Sequence, residues 1–597
     1  MNQAVSSEYD ELIRKPEFFG LGTNNVCNSK CSFCPSKDIK RKRNSMSMDL
    51  FQNIIGQIQS TDCRFVRMSG RISDVLLDPL LADRLRQLRE SFNKEDLRIT
   101  LITNLIALQD HSEQDVEYIV RSLNVLSISV GPNQFVYEKM FGVDCFEKVL
   151  SNLFSLLELK NKFADSARIV IAGRGCGEDF DADPRLMQVT EGLTGKSYIE
   201  WHNIYRNWGG SYDLPELPLK TRVIRNELPN YGIVPCYYAL NPHIDDKGLF
   251  VACSCAGLTD DFVMGDLKKE SLNDLLISKR RKSFINSFIK GKFPKHCKKC
   301  SFYIPDRSIN WSLYLQEEHH SKEPTPTSFY DYNYAKHRHF DVLEKYSSEL
   351  YMHTIDPERS DLKEYQDLLV LSFIRNNIPP GACILEVGGG NSRVLNKLHS
   401  EYECWNIDKF EGLGQGPKNV EQHPYTLVTA YMGDFSDELP SDYFHFVFSI
   451  SALEHVDPCD TELHQNIVSD INRVLTYGGY SLHCFDIIVG AGLERDYYDY
   501  IYHGLSLEKS ERKKWSKAFK ILNMHSRWNY IPKVIDTFFK VSGKLNQMPS
   551  YEQLFYSSDV WTMSKSAYDR GWKPIVKYDY SSVGYPTTLN ILWKKVE

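Results

Sequence analysis

From about residue 17 to residue 205, short apolar runs alternate with longer segments whose apolar residues recur every three or four positions. The runs Phe18–Gly22, Phe65–Ser69, Arg98–Leu101, Val125–Val130, Arg168–Ala172 and Ser197–His202 read as strands, and Met48–Ile58 and Phe146–Leu157 read as helices between them. Six strand-then-helix units joined by short turns predict a parallel sheet, with the chemistry on loops at the strand C-terminal ends. An open doubly wound sheet and a partial barrel both fit this pattern. The alternation stops between Tyr303 and Ser360, and Glu323-Pro324-Thr325-Pro326-Thr327 reads as an extended linker. It restarts at Pro379–Leu398, where an apolar strand runs into a glycine turn and then a helix. Cys404–Ile407, Phe444–Val456, Ile575–Asp579 and Thr588–Lys594 supply further strands of a second, seven-stranded sheet. Asp496–Met548, heavy in Tyr, Trp and Lys, reads as an insert capping that sheet's substrate pocket.

At 597 residues the chain is too long for one core. The breaks in pattern divide it into residues 1–210, 211–305, a connector at 306–360, and 361–597. A hydrophobic content of 42% and a charged content of 25% are ordinary for a soluble globular protein. The formal charge of −7 argues against broad binding to nucleic acid or anionic membrane. The N-terminus shows no apolar signal core, and no apolar run reaches spanning length. Fifteen cysteines with metal-like spacing then point to a reducing, cytoplasmic setting in which thiolates serve as ligands.

The first such set is Cys27, Cys31 and Cys34, spaced C-x3-C-x2-C. Three thiolates can hold a four-iron cluster and leave one iron open to a small chelating molecule. A zinc loop would need a fourth ligand, and no Cys or His follows nearby. With Phe33 and the strand-like entry Glu17–Asn28, this stretch resembles the radical S-adenosylmethionine (SAM) enzymes. The resemblance implies an α/β fold with a partial (β/α)6 TIM-like barrel, a [4Fe–4S] cluster, SAM as cofactor, and an electron donor such as flavodoxin or ferredoxin. In that family the second strand usually ends in Gly-Gly-Glu. Here Met68-Ser69-Gly70-Arg71 lacks the carboxylate, leaving Ser69 and backbone carbonyls to hold the cofactor's amine. Thr103, Asn104 and Ser129 match positions where such enzymes touch methionine or ribose, although strand-end capping also accounts for them. Cys176, after the fifth strand, is a candidate catalytic thiol that could return a hydrogen atom to a substrate radical; its glycine-rich context equally suits a structural turn.

The second set is Cys236, Cys253, Cys297 and Cys300, with Gly248 placed to turn a hairpin between the first two. It resembles the single-cluster auxiliary domain, of the SPASM/twitch type, that follows many radical barrels. His202–Gly210 and Gly265–Leu276 share the likeness. The resemblance implies a second, fully ligated [4Fe–4S] cluster suited to electron relay, while a zinc ribbon is the rival reading. Cys255 is expected to be a bystander.

In the C-terminal third, Glu386-x-Gly388-x-Gly390 resembles the first motif of class I, Rossmann-like SAM-dependent methyltransferases, with Ser392 where a third glycine is usual. A dinucleotide-binding domain could share such a loop. Asp408 at the end of the next strand would hold the ribose, and Gly433-Asp434 falls where methyltransferases contact adenine. Phe444–Val456 matches their fourth strand and turn, with His445 in place of a common acid. Glu454 and His455 would then face the methyl group, and His455 could deprotonate an acceptor; a histidine that merely holds the loop is the alternative.

The combined expectation is a bifunctional enzyme using SAM in two ways. A sugar or amino sugar is the first choice of substrate and a ribosomally made peptide the second. A methyltransferase fold retained only as a substrate-binding module is the reading from another class.

Overall fold

The computed structural model of the chain describes residues 10–11, 13–39, 42–177, 180–194, 200–202, 204–224, 227–253, 260–306, 311, 332–411, 417, 423–456, 460–489, 549, 551–572, 574 and 585–596. The linker at 323–327, Cys255, the insert at 496–548 and the expected strand at 575–579 lie outside them, as do residues 197–199 of the sixth expected strand. The chain forms two compact units, Met1–Asp306 and Arg307–Glu597.

In the first unit, β1 (Phe19–Leu21), β2 (Phe65–Met68), β3 (Arg98–Thr103), β4 (Val125–Val130), β5 (Arg168–Arg174) and β6 (Glu200–His202) pair in parallel, in chain order. Helices Met48–Gln59, Leu81–Ser91, Glu113–Ser122, Phe146–Lys162 and Pro184–Thr194 occupy the intervals. The first of these begins where the Ser47 side chain accepts the Leu50 amide, and it buries Phe51, Ile54, Ile55 and Ile58 as one stripe. Each such side chain contributes about 1.5–3 kcal/mol when fully buried. Along β4, Leu126, Ile128 and Val130 are buried while Val125, Ser127 and Ser129 are half-buried. Parallel register keeps paired residues on one face. Gly20, Arg67 and Thr100 therefore share the face of Val125, and with it of Ser129 and Arg174.

β7 (Ile204–Arg206) and β8 (Arg222–Ile224) make a separate parallel pair. β10 (Leu249–Val251) pairs antiparallel with β9 (His243–Ile244) on one side and with β11 (Val263–Asp266) on the other, and Gly248 turns the first hairpin at φ +79°. β9 pairs in parallel with β1, which extends the barrel sheet to nine strands in the order β11-β10-β9-β1-β2-β3-β4-β5-β6. The segment expected as a separate domain at 211–305 is thus joined to the barrel by a common sheet. Glycine permits the junction: a Cβ on Gly20 would lie 2.4 Å from His243 Nδ1.

In the second unit, β12 (Cys383–Val387), β13 (Glu403–Ile407), β14 (Thr426–Val428), β15 (Phe444–Ile450), β16 (Leu475–Val489) and β17 (Tyr585–Lys594) form one sheet in the order β14-β13-β12-β15-β16-β17. All pairs are parallel except β16 with β17. Helix Leu362–Asn377, opened by an Asp361–Glu364 capping box, packs on the face of Ile384, Phe446 and Leu482. The opposite face, with Leu385, Val447 and Phe485, is covered by Ile467, Val468 and Ile471 of helix Thr461–Val474. Strand order reverses between β12 and β15, so a ligand crevice opens at their C-terminal ends. No helix among the described residues is long and apolar enough to cross a membrane.

Candidate active sites

Cys27, Cys31 and Cys34 lie on the loop after β1, all half-buried. The loop is pinned from helix Gln134–Phe141: the Lys30 amide donates to the Phe141 carbonyl at 2.9 Å and the Ser32 amide to Met140 at 2.8 Å. Ser29 Oγ donates to the same Phe141 carbonyl and lies 3.0 Å from Cys31 Sγ. Burial pushes the Cys27 thiol up to about 11 and the Cys31 thiol higher still, opposed at Cys31 by the Ser29 contact. Cys34 and Cys27 both act on Cys31 electrostatically, so the three sulfurs share one neighbourhood. Thiols that resist ionisation alone become thiolates by binding a metal, with release of protons.

The residues expected to touch a cofactor separate into two groups. Thr103 and Asn104 are buried, and the Thr103 hydroxyl donates to Asp74 at 2.8 Å. Thr103 pairs with Ile128, on the face opposite Ser129. Asn104 instead turns toward the cysteine loop, its Nδ2 donating to Asn28 Oδ1 at 2.9 Å and lying 3.8 Å from Cys27 Sγ. Ser69 is half-buried just past β2, its amide bonded to the Leu21 carbonyl at 3.1 Å. Ser129 lies 3.5 Å from a guanidinium nitrogen of Arg174, a residue that sequence reasoning missed. Arg174 also sits over the Phe33 ring at 5.8 Å, and its buried Nε has no hydrogen-bond partner among the described residues. An unanswered guanidinium N–H beside Cys31 and Ser129 fits a carboxylate-bearing ligand. At the position of the missing carboxylate, Arg71 faces Asp245 at 3.5 Å, so an acid does reach this edge, from the turn after β9. Cys176 is buried beyond β5, next to Gly175, whose carbonyl accepts the Tyr205 hydroxyl at 2.9 Å.

Cys236, Cys253, Cys297 and Cys300 converge within the same unit. Burial pushes the Cys236 thiol up to about 12, with Cys253 adding to the shift. Cys300 is raised by burial and then by Cys236, Cys297 and Cys253 together. The four thiols thus lie near enough to influence one another, Cys236 and Cys297 buried and Cys253 and Cys300 half-buried. Among the described residues, no group of three or more His, Cys, Asp or Glu side chains is arranged to hold a metal ion.

In the second unit the glycine turn follows β12 directly. Gly388 and Gly390 have φ of +68° and +52°, and a Cβ on Gly388 would lie 2.7 Å from the Ala452 Cβ. The Gly389 amide donates to Asn406 Oδ1 at 3.1 Å and the Gly390 amide to Asp408 Oδ2 at 2.9 Å. Asp408 thus braces the turn as well as standing at the end of β13. Burial pushes Glu386 up to about 8, and its Oε2 has no partner among the described residues. Asp434 is exposed on a turn held from behind by Asp470, which accepts the amides of Gly433 and Phe435 at 2.8 and 3.2 Å. Glu454 is half-buried, with Oε1 3.4 Å from the Asp486 amide, whereas His455 is exposed on the same turn.

Residues 22–168 match the model of the Radical SAM superfamily, and residues 385–482 match that of a Methyltransferase domain. The chain carries a radical SAM domain and a methyltransferase domain. It is an enzyme, and the first family implies SAM and a [4Fe–4S] cluster. Similar solved structures include BtrN in complex with AdoMet and 2-DOIA, at 16% identity over 49% of this chain and 94% of that one, with a TM-score of 0.32. Streptococcus suis SuiB bound to precursor peptide SuiA is 11% identical over 48% and 70%, with a TM-score of 0.35. A TehB-like SAM-dependent methyltransferase from Corynebacterium glutamicum is 17% identical over 19% and 59%, with a TM-score of 0.16. No curated protein matches the sequence.

Asn406, Asp470 and Asp74 were missed in the sequence for one reason. Each acts by holding a distant backbone turn, and nothing in the local pattern marks that role. The radical SAM domain's Arg174 differs, because it ends a strand whose neighbour Ser129 was legible; the β4–β5 register was the missing signal.

Proposed function

We propose that the radical SAM domain modifies a hydroxyl-rich small substrate, a sugar or amino sugar, and that the methyltransferase domain methylates it. The observation that carries this reading is the pair of thiol sets in one compact unit: three on a single loop, and four from the two segments flanking the β9–β10 hairpin (Cys236 before β9, Cys253 after β10) and from the Cys297–Cys300 turn. Cys27, Cys31 and Cys34 would hold the SAM-binding cluster, and Cys236, Cys253, Cys297 and Cys300 a second [4Fe–4S] cluster. When bound, the first cluster supplies the electron that splits SAM into methionine and a 5′-deoxyadenosyl radical.

The chain's own residues then have definite work. Arg174 and Ser129 hold the carboxylate end of the cofactor, while Asn104 steadies the loop of Cys27. The half-buried face of β4 carries Ser127 and Ser129 beside Val125, and these two hydroxyls would bond to those of the substrate. Cys176 is the candidate hydrogen-atom donor for an epimerising reaction. In the second domain Asp408 holds the ribose, the glycine turn admits the methionine end, and Asp434 lies toward the adenine. Methyl transfer then depends on alignment and exclusion of water, with Glu454 and His455 on the turn at the end of β15.

Anaerobic reconstitution tests the reading. The full chain should bind about eight irons. Replacing Cys27, Cys31 and Cys34 together by Ala should remove about half of them and abolish 5′-deoxyadenosine formation. Stoichiometric zinc without a brown chromophore would sink the proposal.

A further inference from the structure

Three side chains from separate elements of the methyltransferase domain meet near the C-terminal end of β15: Gln366 of helix Leu362–Asn377, Ser451 just past β15, and Asp486 of β16. Gln366 is fully buried, and its Nε2 donates to Asp486 Oδ1 at 2.8 Å and to the Thr588 hydroxyl at 3.1 Å. The Ser451 hydroxyl lies 2.8 Å from Gln366 Oε1 and also contacts Asp486 Oδ1. The Gln366 amide is thus fully engaged, and Asp486 Oδ1 is held from two sides. Asp486 is half-buried, and its Oδ2 has no hydrogen-bond partner among the described residues.

The neighbouring chain places this group beside the cofactor turn. Leu482 and Cys484 alternate with Phe485 along β16, which puts Asp486 on the face covered by helix Leu362–Asn377. Ser451 is followed by Ala452, whose Cβ is the atom that a side chain on Gly388 would meet at 2.7 Å. The glycine turn and the Asp486 group therefore adjoin at the crevice where the strand order reverses. Ser451 has φ of +50°, a left-handed backbone that side chains disfavour, and its amide is tied to the Cys484 carbonyl at 2.9 Å. Residues held in this way concentrate at functional sites. An apolar residue would pack a sheet interior as well as Gln366 does. A glutamine there fixes the orientation of the carboxylate and leaves its second oxygen to another donor. Glu454 Oε1 lies 3.4 Å from the Asp486 amide, so a second carboxylate borders the same position.

We propose that Asp486 is the carboxylate that binds the methyl acceptor and takes its proton, with Gln366 and Ser451 as positioning residues. The inference rests on the methylation reading above and narrows its substrate. The acceptor presents a hydroxyl to Oδ2, and two carboxylates at one point repel an acidic acceptor. As the new O–C bond forms and the S–C bond of SAM breaks, the hydroxyl proton passes to Asp486 Oδ2, with S-adenosylhomocysteine as the leaving group. The sulfonium charge is neutralised in the same step, so no further reagent is needed.

The test does not depend on the identity of the acceptor. Sinefungin is a SAM analogue with a protonated amine in place of the methylated sulfur. It therefore sets an N–H donor at the point of methyl transfer, where S-adenosylhomocysteine has none. Both are titrated calorimetrically into the full chain as wild type, Asp486→Asn, Gln366→Met and Asp408→Ala. Binding weakened in Asp408→Ala marks the methyltransferase site. Sinefungin should bind wild type at least about tenfold more tightly than S-adenosylhomocysteine. Asp486→Asn should bring the two affinities together by weakening sinefungin alone, and Gln366→Met should do so in part. If Gln366→Met does not fold, Asp486→Asn alone decides. The same affinity ratio in wild type and Asp486→Asn, or loss of both ligands in Asp486→Asn, overturns the assignment. Wild type that binds neither ligand overturns the methylation reading, and the role of Asp486 with it, before any variant is compared.

Discussion

The backbone amide of Asn104 donates to the Asp74 carboxylate at 2.6 Å, in a region where Asp74 is only 3% exposed. The same carboxylate accepts the Thr103 hydroxyl and, at 3.0 Å, the Leu76 amide. Its backbone reaches the other way: the Asp74 amide donates to the Val26 carbonyl at 2.8 Å, and Asn24 Nδ2 donates to the Asp74 carbonyl at 3.0 Å. One residue therefore joins the end of β3 to the loop that carries Cys27. Burial raises the Asp74 carboxyl above its ordinary range, while these hydrogen bonds pull it back.

Asp74→Ala should loosen the cysteine loop without removing a ligand. It leaves two amides and a hydroxyl without their acceptor, and each unsatisfied buried donor costs about 1–3 kcal/mol. We expect a loss of at least about 2 kcal/mol in denaturant unfolding of the iron-free chain, together with lower iron retention after reconstitution. Asp74→Asn, which keeps one acceptor oxygen, should fall between. Wild-type stability and iron content in Asp74→Ala would show that the carboxylate does not organise the loop.

The features legible in the sequence are those written in local pattern. The C-x3-C-x2-C triplet, the Gly388–Gly390 turn and the alternation of strands with helices are set by near neighbours, and the structure shows them with strand ends moved by a few residues. What escaped depends on pairing across the fold. The union of β9 with β1 follows from two glycines making room for His243, and no periodicity reports that. The Thr103 side chain matched a position where radical SAM enzymes touch methionine or ribose, with strand-end capping as the alternative. Register turns it to the face opposite Ser129, where its hydroxyl donates to Asp74. The Arg71–Asp245 pair links residues far apart in sequence, so the acid at that edge could not be seen from β2 alone.

The two activities should be separable at Asp408. Its carboxylate accepts the Gly390 amide at 2.9 Å and the Phe410 amide at 2.7 Å, so Asp408→Ala removes both the proposed ribose ligand and a brace of the glycine turn. Loss of a charged acceptor typically costs about 1.5–3 kcal/mol, or roughly ten- to a hundredfold in affinity. Calorimetric titration with S-adenosylhomocysteine should show that loss, while 5′-deoxyadenosine formation by the radical SAM domain continues. Equal loss of both activities, in a folded variant with its full iron, would mean that the sites are not independent.

Glu386 gives a pH signature. Burial lifts it to about 8, whereas in an unfolded chain it ionises near the usual 4.5. Between those values the folded state holds a proton that the unfolded state has released, so stability falls as pH rises through the window, by up to about 1.4 kcal/mol per pH unit. Glu386→Gln cannot ionise and removes this dependence. Below pH 4.5 the glutamate is protonated in both states and the two proteins should share the same pH slope. From there to about pH 8 the wild type should lose stability relative to the variant, and above it the difference should level off. Thermal melting of ligand-free wild type and Glu386→Gln across this range measures the divergence. Parallel curves throughout would mean that the carboxyl ionises at its ordinary value.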